Sequence, residues 1–281
     1  MKGYKIAVLS GKGGTGKTTV SSNLAKIQKS IYVDCDVEEP NGYLFLKPEV
    51  EKVKDVNVMI PSIDYDKCTL CGECTKACRF GALMRLTKKI LVFDHLCHSC
   101  GACYEICPYN AIKEIPKKIG VVRVGRSDDI DFIDGKLNIG EASGVPIIKE
   151  IKDLIKETDK NVIIDSPPGT SCSVIHSVEG SDYCLLVTEP TPYGLHDLKL
   201  AVELVKELHL PFAVIINKSG ESDSIIEDYC NKENISVIAK IPFKKEYAEL
   251  YSKGNLLIEE DDEIRHTFEN LSQRLMELIG K

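Results

Sequence analysis

Residues Gly11 to Thr19 (GKGGTGKTT) follow the short run Lys5 to Leu9 (KIAVL) and open a helix-like stretch from about Lys17 to Lys29. Strand, glycine-rich turn and helix in that order leave few folds open. The spacing fits G-x-x-x-x-G-K-[ST] over Gly11, Lys12, Gly13, Gly14, Thr15, Gly16, Lys17 and Thr18, with Thr19 extending the loop into the helix. Glycines there let backbone N–H groups close around phosphate oxygens, and the helix N-terminus adds a favourable dipole. Lys17 is then placed to reach β- and γ-phosphates, and Thr18 to offer its hydroxyl to Mg²⁺.

The runs Ile31 to Asp34 (IYVD), Val162 to Asp165 (VIID), Cys184 to Thr188 (CLLVT), Ala213 to Asn217 (AVIIN) and Ser236 to Ile241 (SVIAKI) are short and largely apolar. Strands buried on both faces read this way. Helical patterns lie between them, most clearly Gly194 to Leu208 and Asp223 to Lys232, so the expected fold is α/β with a mostly parallel sheet. Near the C-terminus Ile264, Phe268, Leu271, Leu275 and Leu278 recur at helical spacing from Asp262 to Ile279. That stripe suits a helix packed on the core better than one lying on a membrane.

Eight of the twelve cysteines crowd between Cys68 and Cys107, and they repeat: Cys68, Cys71, Cys74 and Cys78 recur 29 residues later as Cys97, Cys100, Cys103 and Cys107. The flanks repeat too, Phe80-Gly81-Ala82-Leu83 against Tyr109-Asn110-Ala111-Ile112. A repeated half-module inside an α/β pattern reads as an insertion, which divides the chain into 1–61 and 117–281 for the core and 62–116 for the insert. Each run is C-x₂-C-x₂-C-x₃-C. Zinc sites usually pair two C-x₂-C units across a longer gap, whereas three cysteines at successive x₂ intervals wrap three corners of a cubane.

Charge and apolar content narrow the rest. The 281 residues carry 36 Lys and Arg against 43 Asp and Glu, a net charge of −7, which argues against nucleic acid as the main ligand. No stretch approaches the roughly 18 apolar residues of a membrane span. The expectation is a cytoplasmic protein with neither membrane nor nucleic acid as partner, and cysteines that serve metal rather than disulfides.

With Lys12 as a second lysine in the loop, the chain resembles the MinD/ParA/Mrp superfamily of deviant Walker A ATPases. That resemblance implies ATP and Mg²⁺ as cofactors and a homodimer in the ATP state, with Lys12 reaching the partner's nucleotide; a solvated loop charge is the other reading of Lys12. Asp34-Cys35-Asp36-Val37-Glu38-Glu39-Pro40-Asn41 looks like the family's D-x-D-x-x-x-x-N switch I, so Asp36 and Asn41 inherit the handling of the attacking water. Asp165-Ser166-Pro167-Pro168-Gly169 resembles Walker B and switch II, with Asp165 near Mg²⁺. Asn217 and Pro242 match the segments that read and flank the adenine. The catalytic set is therefore Lys12, Lys17, Asp36 and Asn41.

The cysteine runs resemble a bacterial-type two-cluster [4Fe-4S] ferredoxin, an α+β module in which the fourth cysteine of each run serves the other cluster. Cluster one then takes Cys68, Cys71, Cys74 and Cys107, and cluster two takes Cys97, Cys100, Cys103 and Cys78. His98 is read as lying outside the ligands, and Arg79 stands where such modules often have proline. Three functions follow from the resemblance, in this order: an ATP-dependent carrier or assembly factor for iron–sulfur or related metallocofactors with a metalloprotein client, an ATP-gated electron-transfer protein with a redox partner, and a MinD-like positioning ATPase. Against the first, the paired C-x-x-C of the carriers has no counterpart after Cys107. Cys172, seven residues after Asp165, stands at the offset of a cluster-ligating cysteine in the nitrogenase iron protein; an ordinary buried cysteine is the alternative.

Overall fold

The computed structural model describes residues 3–280. The chain opens with β1 (Lys5–Leu9), α1 (Lys17–Gln28), β2 (Ile31–Asp34) and α2 (Gly42–Leu46). A long strand, β3 (Glu49–Ile63), leads into the cysteine-rich segment. Its elements are short: α3 (Glu73–Ala77), β4 (Leu83–Arg85), β5 (Ile90–Val92), a 3₁₀ turn at Asp94–Leu96 and α4 (Ala102–Glu105). An equally long strand, β6 (Ile112–Ser127), runs back and turns tightly into β7 (Ile130–Leu137). The rest alternates: α5 (Val145–Leu154), β8 (Val162–Asp165), α6 (Cys172–Val178), β9 (Tyr183–Thr188), α7 (Pro192–Glu207), β10 (Phe212–Ser219), α8 (Ser224–Lys232) and β11 (Val237–Pro242). Three helices close the chain, α9 (Lys245–Ser252), α10 (Leu257–Glu260) and α11 (Asp262–Ile279).

Nine of the described strands form one sheet, in the order β11-β10-β9-β1-β8-β2-β7-β6-β3. Pairing is parallel from β11 to β7 and antiparallel only at the β7-β6-β3 edge. Side chains alternate between faces along each strand. Ala7 and Leu9 pack with α5, α6, α7 and α8, while Ile6 and Val8 pack with α1, α2, α10 and α11. The expected mostly parallel α/β sheet is present, and the two long strands at its edge have no counterpart among the apolar runs of the sequence. They alternate charged and apolar residues, as half-exposed antiparallel strands do.

β3 pairs with β6 from Glu49↔Arg126 to Ile63↔Ile112, but β7 covers β6 only from Gly120 to Ser127. The outer parts of β3 and β6 therefore project past β7 as a two-stranded ribbon, with the cysteine-rich segment at its tip. Positions 61/62 and 116/117, where the sequence suggested boundaries, lie inside this ribbon. At the tip the 29-residue repeat is written into the backbone. Residues with positive φ come in matched pairs: Leu70 (59°) and Ser99 (54°), Gly72 (86°) and Gly101 (73°), Gly81 (67°) and Asn110 (49°).

The C-terminal stripe packs inward as expected: Ile264, Phe268, Leu271 and Leu275 are buried against the core, and Leu278 is left at the surface. No described helix is long and apolar enough to cross a membrane. Phe268→Ala should cost about 3–5 kcal/mol, seen as a lower midpoint in urea unfolding, whereas Leu278→Ala should change stability by under about 1 kcal/mol. Equal effects of the two would mean that α11 does not pack by this face.

Candidate functional site

Parallel strands bring their C-terminal ends to one edge of the sheet, where open α/β sheets bind ligands. β8 lies between β1 and β2, with Val8 and Asp34 both in register with Asp165. The loop after β1, the carboxylates ending β2 and β8, and Asp36 thus meet in one place. Gly16 has φ +94°, and a Cβ there would lie 2.1 Å from Asn217 Nδ2, so only glycine fits. Asn217 Nδ2 donates to Thr15 O at 2.7 Å, and Lys218 Nζ donates to Gly14 O at 3.1 Å. β10 therefore braces the loop from below. Gly13 and Gly14 have open space where side chains would stand, and Lys17 is buried within the loop.

Asp34 folds the next segment around itself, accepting from the backbone N–H of Asp36 (3.0 Å), Asn41 (3.1 Å) and Gly42 (2.9 Å). Tyr32 Oη donates to Asp165 Oδ2 at 3.0 Å. Burial and the Asp165 charge push Asp34 well up, and burial also raises Asp165, against the pull of Lys17 and Thr18. Asp36 is pushed up to about 6 by burial, with Lys17 opposing. Asp165 Oδ1, Thr15 Oγ1 and Ser166 Oγ are buried with no hydrogen-bond partner among the described residues. Orphaned oxygens around a glycine cradle fit a site built for a cation and a polyphosphate.

Beside the loop a recess of about 280 Å³ is lined by Gly16, Thr19, Asn217, Pro242, Phe243 and Tyr251, a size and apolar character suited to a planar base. Lys12 is not free in solvent: its Nζ lies 2.5 Å from Glu189 Oε1, and Lys218 holds the other oxygen of that carboxylate at 3.0 Å. Glu189, Lys218 and Tyr32 were not singled out from sequence, and Asp34 was named only as the first residue of the switch I segment. The signal for Glu189 was available, since it follows the run CLLVT on the strand next to β1.

The cysteines form two sets. One cavity is lined by Cys68, Cys71, Cys74 and Cys107, the other by Cys78, Cys97, Cys100 and Cys103. Each set takes three cysteines from one repeat and the fourth from the other. No three His, Cys, Asp or Glu among the described residues stand close enough to hold a single metal ion. Burial pushes Cys74 and Cys97 up and Cys103 to about 11. His98 stacks on Phe80, ring centroids 3.9 Å apart.

Of the other four cysteines, Cys35, Cys184 and Cys230 are buried. Burial pushes their thiols up to about 12, 12 and 11. Cys172 is exposed at the start of α6, which removes the reading of it as a core residue.

The profile of the CobQ/CobB/MinD/ParA nucleotide-binding domain matches residues 6–258. The chain belongs to that family. It is similar to the uncharacterized protein MJ0579 of Methanocaldococcus jannaschii, 33% identical over 95% of this chain and 96% of that protein. It is also similar to the iron-sulfur cluster carrier protein of Pyrococcus horikoshii, 27% identical over 97% of this chain and 85% of that protein. Among solved structures the cell division ATPase MinD of Pyrococcus furiosus covers 98% of this chain, and the chain covers 99% of it, with TM-score 0.60 and 19% identity. That likeness is one of fold.

Gly16→Ala should weaken Mg-ATP binding at least about tenfold by calorimetry, because the new methyl displaces Asn217. Asn217→Ala removes the brace without adding bulk and should fall between that variant and the parent; parental affinity in Gly16→Ala would mean that this loop is not the nucleotide cradle.

Proposed function

We propose that the chain is an ATP-binding and ATP-hydrolysing iron–sulfur protein that acts as an ATP-dependent carrier or assembly factor for iron–sulfur or related metallocofactors. The observation that carries this is the cross-drawn pair of four-cysteine cavities, fused by a continuous ribbon to a family nucleotide site. Two soft-ligand cages with spacing for clusters suit a 62–116 module of the two-cluster ferredoxin kind, between core segments 1–61 and 117–281. Similarity to proteins named iron-sulfur cluster carriers supports it.

In this reading Gly11 to Thr19 cradle the phosphates, Lys17 neutralises them, and Thr18 and Asp165 hold Mg²⁺. Asp36 and Asn41 position the attacking water. Asn217 and Pro242 meet the adenine. Lys12 leaves Glu189 and reaches the nucleotide of a second copy when the ATP-bound dimer closes. Bound clusters would supply one-electron redox chemistry.

A second reading, ATP-gated electron transfer, has an observation in its favour. All eight clustered cysteines are consumed by the two cavities, and Cys172 is the one exposed cysteine outside them among the described residues, so each chain has no spare pair for a cluster in transit. Incubating the reconstituted chain and MgATP with an apo-acceptor for a [4Fe-4S] cluster separates the readings. A carrier loses iron and sulfide to the acceptor, whereas an electron carrier keeps both and only its oxidation state changes.

Anaerobically prepared chain should hold about eight iron and eight sulfide, and Cys68→Ser should damage one set of cluster signals while sparing the other. Stoichiometric zinc without iron would end the reading. Lys17→Ala should abolish nucleotide binding, Asp36→Ala should bind ATP yet hydrolyse it at least about a hundredfold more slowly, and Lys12→Ala should bind ATP without dimerising. Parental hydrolysis by Lys12→Ala would remove its role across the dimer.

A further inference from the structure

The two cysteine sets differ in what stands beside them. The first cavity is lined entirely by residues between Ile63 and Ile112, the tip of the ribbon and the segment it carries. The loop Cys97-His98-Ser99 of the second set also walls an open cleft of about 560 Å³, whose opposite wall includes Glu141, Pro146, Lys149 and Cys172. Asn57, Met59 and Ile119 of the ribbon form its floor.

The near wall is fixed. Ser99 Oγ donates to Met59 O at 2.7 Å and accepts from Met59 N–H at 2.9 Å, so the loop is pinned to β3. Lys117 Nζ spans Asp94 at 3.5 Å, just before the loop, and Glu141 at 2.8 Å. On the far wall Glu141 shares that bridge, but Cys172 is linked to the phosphate loop instead. Cys172 follows directly on the turn after Asp165, in which Gly169 has φ +88° and donates its N–H at 3.0 Å to Ser10 O, at the mouth of the phosphate loop. Thr170, Ser171 and Cys172 are exposed. A phosphate or Mg²⁺ that rearranged this turn would move Cys172, which lines the same cleft as Cys97, whereas the described residues lining the first cavity all lie between Ile63 and Ile112.

We propose that nucleotide binding is relayed to the second cysteine-held centre alone, by movement of the Cys172 wall of this cleft, so that the two centres respond unequally to ATP. The inference rests on the reading that both sets hold clusters. A cluster's potential follows its solvent exposure, and the cleft borders the second set only. Cys172 acts here as a positioning residue. The nucleotide supplies the differential contact that any such shift requires, through the turn it touches.

The experiment uses the full chain with both clusters, after iron and sulfide analysis and a calorimetric check of nucleotide binding. Loss of either property sinks the underlying reading and this inference together, and is seen before any potential is measured. EPR-monitored reductive titration follows, nucleotide-free and with a non-hydrolysable MgATP analogue. Arg85→Ala, which removes a donor to Cys71 O at 3.4 Å, marks the signal of the first centre, and Ser99→Ala marks that of the second. At fixed potential the analogue should change the reduced-to-oxidised ratio of the Ser99-marked centre by roughly three- to tenfold and leave the Arg85-marked centre unchanged. Cys172→Ala should at least halve that response.

Iodoacetamide labelling of Cys172, read by mass spectrometry, should change severalfold with the analogue at a rate independent of chain concentration. Equal shifts in both centres, a shift in the first alone, no shift, a full response in Cys172→Ala, or labelling that follows chain concentration as occlusion by a second copy would, each overturns the proposal.

Discussion

Placing β8 between β1 and β2 forces two buried carboxyls, Asp34 and Asp165, into the same register beside the phosphate loop. Like charges in a low-dielectric site repel strongly, and the surroundings answer in two ways. Asp34 is absorbed into the backbone by three N–H donors, which bends the chain between Cys35 and Gly42 and fixes where Asp36 sits. Asp165 is left with one oxygen on Tyr32 and the other bare. One carboxyl has become structure and its neighbour stays available. The brace from Asn217 and Lys218 of β10 completes the frame, so four strands and one loop position the nucleotide site.

The cysteine-rich segment is joined to this frame by a sheet and not by a flexible linker. β3 and β6 stay paired along their whole length, and the inner half of β6 is fastened to β7, where Arg123 and the fully buried Asp134 face each other across the strands and form an ion pair. Glycine makes the junction close enough: a Cβ on Gly135 would lie 2.5 Å from Ile147 of α5. The orientation of the segment is thereby set by the sheet itself, and the Lys117 bridge between Asp94 and Glu141 restrains it from the other side.

Much of this could be read from the chain. The phosphate loop, the parallel strands, α7, α8 and α11 were legible because each buries its apolar residues at a period that sequence displays directly. The cysteine runs were legible from their spacing, and their cross-drawn sets from the ferredoxin resemblance that the spacing carries. What escaped was set by tertiary contact: the ribbon, whose Glu49 to Lys54 alternation of charged and apolar residues resembles a loop as much as a strand, and Glu189, whose significance lies in meeting Lys12 and Lys218 from another element. Cys172 could not be placed either, since exposure at a helix start depends on how the preceding turn folds.

The depth of the three core cysteines bears on how such a chain survives its own assembly. Iron binding and disulfide exchange both act on thiolates. With burial pushing them up to about 12, 12 and 11, the thiols of Cys35, Cys184 and Cys230 stay protonated at neutral pH. Once the sheet has closed, a chain bathed in ferrous iron and sulfide offers reactive sulfur almost solely at the ribbon tip and at Cys172. Folding the sheet first would thus act as a proofreading step, hiding the wrong thiols before the metal arrives.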